Sequence, residues 1–338
     1  MPLNIVYFGL GLILAALTLR DVFDTVVVPG GSRASLRVAH RLGAIFLPVW
    51  KAVRGRRRGL SPTYAPFILV SCFIIWMGLL AIGFGLMAYA LRSDFEPALR
   101  GFGEAVYLCG SSLVTVGLSQ VNPAGGARWV ILGAGFCGLA VMTMAVTYLL
   151  EVQSSIARRD TGIIKLNTSA GNPPSALAFL ERFATIDNRD AFAEVLEEGR
   201  NWCATVRQSH TTHPSMIYFR SIGIGAGWPA ALGALLDLAL LFEMMIDERA
   251  LFGRAVLLHE EGLRMAHELA GIISLKPKDR ALEERDLREA AERLVMCGYR
   301  IRGNADFAAM AQRRAGYTSC VDALAEQLGQ PTSLLIRR

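Results

Sequence analysis

Two stretches of this chain contain no charged residue: Ala65–Leu91, 27 positions long, and Trp129–Leu150, 22 positions long. A helix needs about 20 mostly apolar residues to cross a bilayer. Lipid offers no partner to a backbone amide, so a crossing segment must satisfy its own hydrogen bonds. Both stretches are therefore expected to be transmembrane helices. Leu3–Leu19 is also uncharged, though marginal in length. It lacks the basic start and small-residue cleavage site of a signal peptide and is read as a third span.

The apolar residues are unevenly placed. The 338 residues are 53% hydrophobic and 19% charged, with a mean hydropathy of +0.37. Most of the charge follows Arg158, which divides the chain into a membrane half and a soluble half. The net charge of +6 raises the question of nucleic acid. However, the densest basic cluster, Arg54, Arg56, Arg57 and Arg58, directly precedes the span at Ala65. Cationic loops at that position set membrane orientation and attract anionic lipid. Lipid is the expected partner there, and nucleic acid is not. The six cysteines are scattered without a CxxC pair, so neither a disulfide framework nor a zinc site is indicated.

Between Arg20 and Ser61 there are nine Lys/Arg against two Asp; between Arg92 and Arg128 there are three Arg against three acidic residues. The first loop is thus expected in the cytoplasm. This puts the N-terminus outside, residues 92–128 outside, and everything after 151 inside, in a cell (inner) membrane. Within the inner loop, Val38, Leu42, Ile45, Phe46 and Val49 share one helical face. That pattern fits a short helix in the headgroup layer, with Trp50 at the interface, or a short buried helix. Asp21 and Asp24 follow the first span. They are expected to pair with basic residues of that helix or, less simply, to hold a cation.

The outer loop is too apolar to be free. In "GFGEAVYLCGSSLV" (101–114), Phe102, Val106, Cys109 or Gly110, and Leu113 recur at helical spacing over a length too short to cross. A loop at membrane depth must be buried in protein or line a water-filled cavity. A short helix followed by a glycine turn between two spans suggests a re-entrant pore loop.

Glu104-Ala105-Val106-Tyr107 and Ser112-Leu113-Val114-Thr115-Val116-Gly117 resemble the pore helix and filter of the potassium channel family, in its bacterial two-helix form. The resemblance covers about residues 62–155. It implies an outer helix, a pore helix, a filter and an inner helix, assembled as a homotetramer. It makes Thr115, Val116, Gly117, Leu118 and Ser119 the filter, with a permeant potassium ion or other monovalent cation as its only bound species. A pore helix directs its carbonyl end at the pore and favours a cation. Backbone carbonyls from several copies replace the water shell of an ion. Gly117 permits the positive φ that such a backbone needs. The family filter reads Thr-Val-Gly-Tyr-Gly, usually followed by Asp. Here Leu118 replaces the Tyr, Ser119 the second Gly and Gln120 the Asp. If position 119 needs positive φ, its Cβ costs about 1 kcal/mol per subunit. Gly138, in the middle of the inner span, resembles a gating hinge; close helix packing is the alternative reading.

"RRDTGIIKLNTSAGNPPS" reads as a linker over 159–174. Beyond it, "SALAFLERFATI", "DAFAEVLEEGRNWCATVRQ", "DERALFGRAVLLHEEGLRMAHELAGII" and "KDRALEERDLREAAERLVMCG" show helical periodicity. "SIGIGAGWP" spaces its glycines by twos and lacks the spacing of a dinucleotide-binding loop. "WPAALGALLDLALLFEMMI" (228–246) is long enough to cross a membrane. Asp237 and Glu243 make that costly, so it is read as a buried helix of the soluble domain or an oligomer contact. His210 and His213 are a weak metal signal, read instead as part of a structured loop. His259-Glu260 lacks the second histidine of a zinc-protease helix, since Leu263 stands there. No catalytic constellation assembles, so no enzyme and no cofactor are expected.

The expected architecture is an all-α membrane protein. Residues 1–61 form an N-terminal span and interfacial helix, 62–158 a pore domain and 159–338 a helical cytosolic domain. The expected function is a cation channel conducting potassium, gated by the inner helix and cytosolic domain. The alternatives are a non-selective cation channel and a non-conducting, membrane-anchored sensor or signalling protein.

Overall fold

The computed structural model describes residues 2–28, 64–220, 223–276 and 284–336, with Val38, Arg41, Leu42, Ile45, Phe46, Pro48 and Trp50. The basic cluster Arg54, Arg56, Arg57 and Arg58 lies outside the described residues. The chain divides into two compact units, Met1–Val152 and Gln153–Arg338.

The first unit contains α1 (Pro2–Val26), α2 (Tyr64–Ala90), α3 (Phe102–Leu113) and the first part of α4 (Ala127–Ala170). With 27 residues, α2 extends about 40 Å, enough for a bilayer core. α1 and α2 run antiparallel and close together. Small residues permit this: a Cβ on Gly83 would lie 3.1 Å from the Ala15 nitrogen and from the Gly11 oxygen. Tyr7 meets the Tyr89 ring edge to face at 5.7 Å near one end. Near the other end the Trp76 indole donates to Asp21 at 2.9 Å.

α1 runs seven residues past the expected span. Asp21 and Asp24 therefore sit on the helix rather than in a connecting segment. Asp21 is fully buried and also accepts the Val38 amide at 3.4 Å, while Asp24 pairs with Arg20 one turn away at 3.6 Å. Trp50, expected at the membrane interface, is buried and stacks on Tyr64 at 4.8 Å. Phe46 meets Phe67 edge to face at 5.3 Å.

The second unit comprises the rest of α4 and six further helices: α5 (Ala176–Thr185), α6 (Phe192–Thr212), α7 (Trp228–Leu240), α8 (Arg249–Ile272), α9 (Glu284–Met296) and α10 (Phe307–Leu328). The expected linker is largely absent, because α4 stays helical to Ala170. Ile163, Leu166 and Ala170 fall on one face and are buried in the core of this unit, and burial outweighs the weak helix preference of Gly162, Asn167 and Thr168. No proline interrupts the segment before Pro173. The loop expected around His210 is likewise helical, since α6 continues to Thr212. Residues 223–227 form a turn with Gly223, Gly225 and Gly227 at positive φ, and it leads directly into α7.

All thirteen residues of α7 are buried, with a π-turn at Leu241–Met245. Together with that turn, Trp228–Met245 meets the length and hydropathy of a membrane span, as do α1, α2 and α4 among the described residues, yet nearly all of it is covered by protein. Its Asp237 explains why. The carboxylate accepts Arg314 Nε at 2.6 Å, the second guanidinium nitrogen at 2.8 Å and the Tyr317 hydroxyl at 2.6 Å. Burial works against the Arg314 guanidinium, but Asp237 outweighs it and holds the pKa above its ordinary value. Burial and Asp237 push the Tyr317 phenol well above its ordinary range, which keeps it a donor.

Removing one partner of such a pair leaves an uncompensated buried charge. Asp237→Ala is expected to cost about 3–5 kcal/mol, read as a lower thermal midpoint of the full chain in detergent. Lys165→Ala, which breaks an exposed ion pair with Glu198, should change it by under about 1 kcal/mol. Equal effects would contradict the assignment.

Two buried histidines give this unit a pH dependence. Burial, with the Arg159 guanidinium adding to it, pushes His210 down to about 3. Burial and then Arg313 push His259 down to about 4. Both folded values lie below the ordinary 6.5, so the unfolded chain binds protons that the folded chain does not. The stability contribution present above pH 6.5 is lost as pH falls through about 4 for His259 and about 3 for His210. The thermal midpoint should fall over this window, with a shallower slope in His210→Gln. An unchanged slope would contradict burial as the cause.

Candidate ion-conducting site

Both ends of the outer loop are fixed. Phe95–Glu96 pairs antiparallel with Asn122–Pro123, and the Ala124 amide donates to the Asp94 carbonyl at 2.7 Å. Inside this clasp, α3 begins after Gly101, and Glu104 in its first turn accepts the Arg100 amide at 2.6 Å. A carboxylate here satisfies an otherwise unpaired donor and complements the helix dipole. The buried face is Ala105, Leu108, Cys109, Ser111 and Leu113; Phe102, expected on that face, is exposed in the single chain. α3 fits between its neighbours at glycines. A Cβ on Gly85 would come within 2.7 Å of Val106, and one on Gly138 would overlap the Leu113 carbonyl.

The chain after α3 turns back on the helix end. The Thr115 amide donates to the Ser112 carbonyl at 3.0 Å. The Val116 and Gly117 amides donate to the Ser111 carbonyl at 2.9 and 3.2 Å. The Leu118 amide donates to the Ser111 hydroxyl at 2.9 Å. Four successive amides thus face the C-terminus of α3. In a trans peptide the carbonyl points opposite to the amide that follows it. The carbonyls of Val114, Thr115, Val116 and Gly117 therefore all point away from α3. Among the described residues, none of these four accepts a hydrogen bond.

Two residues of this segment are left-handed: Thr115 has φ 60° and Gly117 has φ 68°. Glycine tolerates this at no cost, whereas a β-branched threonine does not. The left-handed conformation costs about 1–2 kcal/mol at Thr115. The four amide bonds, worth about 1 kcal/mol each net, outweigh it. Ser119 is not among the residues with positive φ, so the penalty expected there does not arise. Its hydroxyl instead donates to the Val121 carbonyl at 2.6 Å and accepts the Val121 amide at 2.9 Å, closing a local turn.

The segment 115–119 is exposed in the single chain, with Val116 at 57% and Leu118 at 61%. The free face of α4 is apolar too: Trp129, Leu132, Phe136, Leu139, Val146 and Leu150 are all exposed. So much contiguous apolar surface implies lipid or further protein against it. Thr143 and Thr147 on this helix return their hydroxyls to the carbonyls of Leu139 and Thr143, which lowers their cost in an apolar setting.

The structure brings Thr115, Val116, Gly117 and Leu118 onto one short segment at the end of α3, with Gly138 packed behind that helix end. Ser111 is the residue that sequence reasoning missed. Its hydroxyl beside a glycine turn was the available signal, but which amides it takes depends on the fold. His210 is buried with Nδ1 2.8 Å from the Val206 carbonyl. Among the described residues no group of three or more His, Cys, Asp or Glu is placed to hold a metal.

Residues 72–154 match the family model described as ion channel. That interval covers most of α2, all of α3, the turned segment and α4 to Val152 and just beyond. This interval of the chain thus resembles an ion-channel domain, and it lies among helices long and apolar enough to cross a membrane, which points to a membrane protein. No curated protein and no solved structure matches the chain.

Gly138→Ala is expected to separate α4 from α3 and cost about 1–3 kcal/mol, seen as a lower thermal midpoint in detergent. Gly133→Ala, whose Cβ would make an ordinary 3.6 Å contact with Phe84, should be tolerated. A tolerated Gly138→Ala would contradict the close approach. For the same reason Gly138→Ala does not separate a hinge from a packing role.

Proposed function

We propose that four copies of this chain form a potassium-conducting cation channel in the cell (inner) membrane. Thr115, Val116, Gly117, Leu118 and Ser119 of each copy surround the ion path. The observation that carries this reading is the row of four carbonyls turned away from α3 with no partner among the described residues. Unsatisfied carbonyls at membrane depth are costly, and a dehydrated cation is the ligand that removes the cost. The carbonyl end of α3 adds negative potential at the same place. The apolar faces of α4 and Tyr107, exposed in one copy, give the others something to pack against. The N-terminus lies outside, the second unit is cytoplasmic, and the basic cluster Arg54, Arg56, Arg57 and Arg58 meets anionic lipid. Gating belongs to α4, where bending at Gly138 would part it from Leu113, and to the cytosolic unit.

Leu118, Ser119 and Gln120 favour a second reading, a non-selective cation channel, because they leave the outer mouth without an acidic side chain. Purified protein in liposomes loaded with K⁺ is expected to release it down its gradient, with Na⁺ passing more slowly. Equal K⁺ and Na⁺ permeability would leave the non-selective channel. Absence of flux across ligands, pH and voltage would reject both.

A further inference from the structure

We propose that Ser111 is a specificity-determining positioning residue, whose hydroxyl fixes the outermost of the four aligned peptides; the inference rests on the channel reading above. Ser111 lies in the last turn of α3 and is 9% exposed. Its carbonyl takes the Val116 and Gly117 amides, and its hydroxyl takes the Leu118 amide. One residue thereby orients the carbonyls of Thr115, Val116 and Gly117.

The third of these is held differently. The two bonds to the Ser111 carbonyl are backbone contacts that any residue would make. The bond to Leu118 exists only because position 111 carries a hydroxyl. Among the described residues no other hydrogen bond holds that peptide. Gly117 has open space around the position of a Cβ, so it imposes no steric barrier to rotation. The Leu118 side chain is 61% exposed in the single chain. Among the described residues the Ser111 hydroxyl is the one partner of the Leu118 amide. Without it, the Gly117–Leu118 peptide is free to rotate, and the Gly117 carbonyl leaves the row. The outer coordination of the ion would then depend on water rather than on a fixed oxygen.

The test uses the full chain in planar bilayers, with bi-ionic reversal potentials for Na⁺, K⁺, Rb⁺ and Cs⁺. Ser111→Ala is expected to change at least one permeability ratio to K⁺ by about tenfold, the scale of one hydrogen bond lost per site. Ser111→Thr keeps the hydroxyl and should stay within about twofold of the native ratios. Native ratios in Ser111→Ala overturn the proposal. A silent Ser111→Ala beside a Ser111→Thr that conducts like the native channel supports it. Ser111→Thr shifted or silenced as strongly as Ser111→Ala overturns it, since the hydroxyl is then not the operative group. A native chain that never conducts overturns the channel reading itself, and the inference with it, which is a distinct outcome from a conducting chain indifferent to position 111.

Discussion

A peptide held at membrane depth has two polar groups and no water to satisfy either. In regular helices both are consumed together, which is why α1, α2 and α4 can be long and featureless. Residues 114–118 solve the problem asymmetrically. The amides of Thr115 to Leu118 are taken by Ser111 and Ser112 at the end of α3, and the carbonyls of Val114 to Gly117 are left over. Much of the first unit serves this asymmetry. The clasp between Phe95–Glu96 and Asn122–Pro123 fixes where the segment starts and ends. Gly85 and Gly138 let α3 sit close enough to α2 and α4 for its carbonyl end to be held in place. Unpaired acceptors in a row at the negative end of a helix dipole suit a cation, which is why the proposed conduction rests on this backbone segment.

The second unit depends on a different compensation. Its central helix α7 is apolar enough to enter a membrane and is instead enclosed by protein. Asp237 is the charge that has to be accommodated there, and α10 supplies both Arg314 and Tyr317 to do so. The carboxylate is thus tied to one particular partner helix. Apolar packing alone tolerates sliding, whereas a bidentate pair with a phenol at its side accepts one register. That is a physical reason for an ionic group in a core that hydrophobic residues would fill more cheaply.

What the residues disclose on their own follows from these two solutions. The spans at Ala65–Leu91 and Trp129–Leu150, the short helix after Gly101 and its end near Val114 are legible, because long uncharged runs and their interruption are strong signals. The helices α5, α6, α8 and α9 are legible from apolar spacing. α10 is not, because Arg314 and Tyr317 stand where that pattern wants apolar side chains, and alanines blur the rest. The segment 159–170 looks like a linker because its residues are poor helix formers, but tertiary burial of Ile163 and Leu166 decides its state. The site is legible in part. Thr-Val-Gly marks the segment, and the expected positive φ at Gly117 is there, yet the second left-handed residue cannot be read from composition: position 119 is the conditional candidate, and the structure puts it on Thr115.

That displacement bears on the meaning of Leu118-Ser119-Gln120. If the carbonyl row had required positive φ at 119, serine there would have weakened it. With positive φ at Thr115 and Gly117 and Ser119 closing a separate turn onto Val121, the row needs only backbone from Val114 to Gly117. Side chains at 118–120 then leave the four carbonyls themselves alone and, on the proposed channel reading, would act on what surrounds them: how the segment meets neighbouring copies, and how much negative charge the outer mouth carries. On the proposed channel reading, departure from the family pattern at these three positions is therefore compatible with an intact cation site, and its cost would fall on discrimination between cations rather than on conduction.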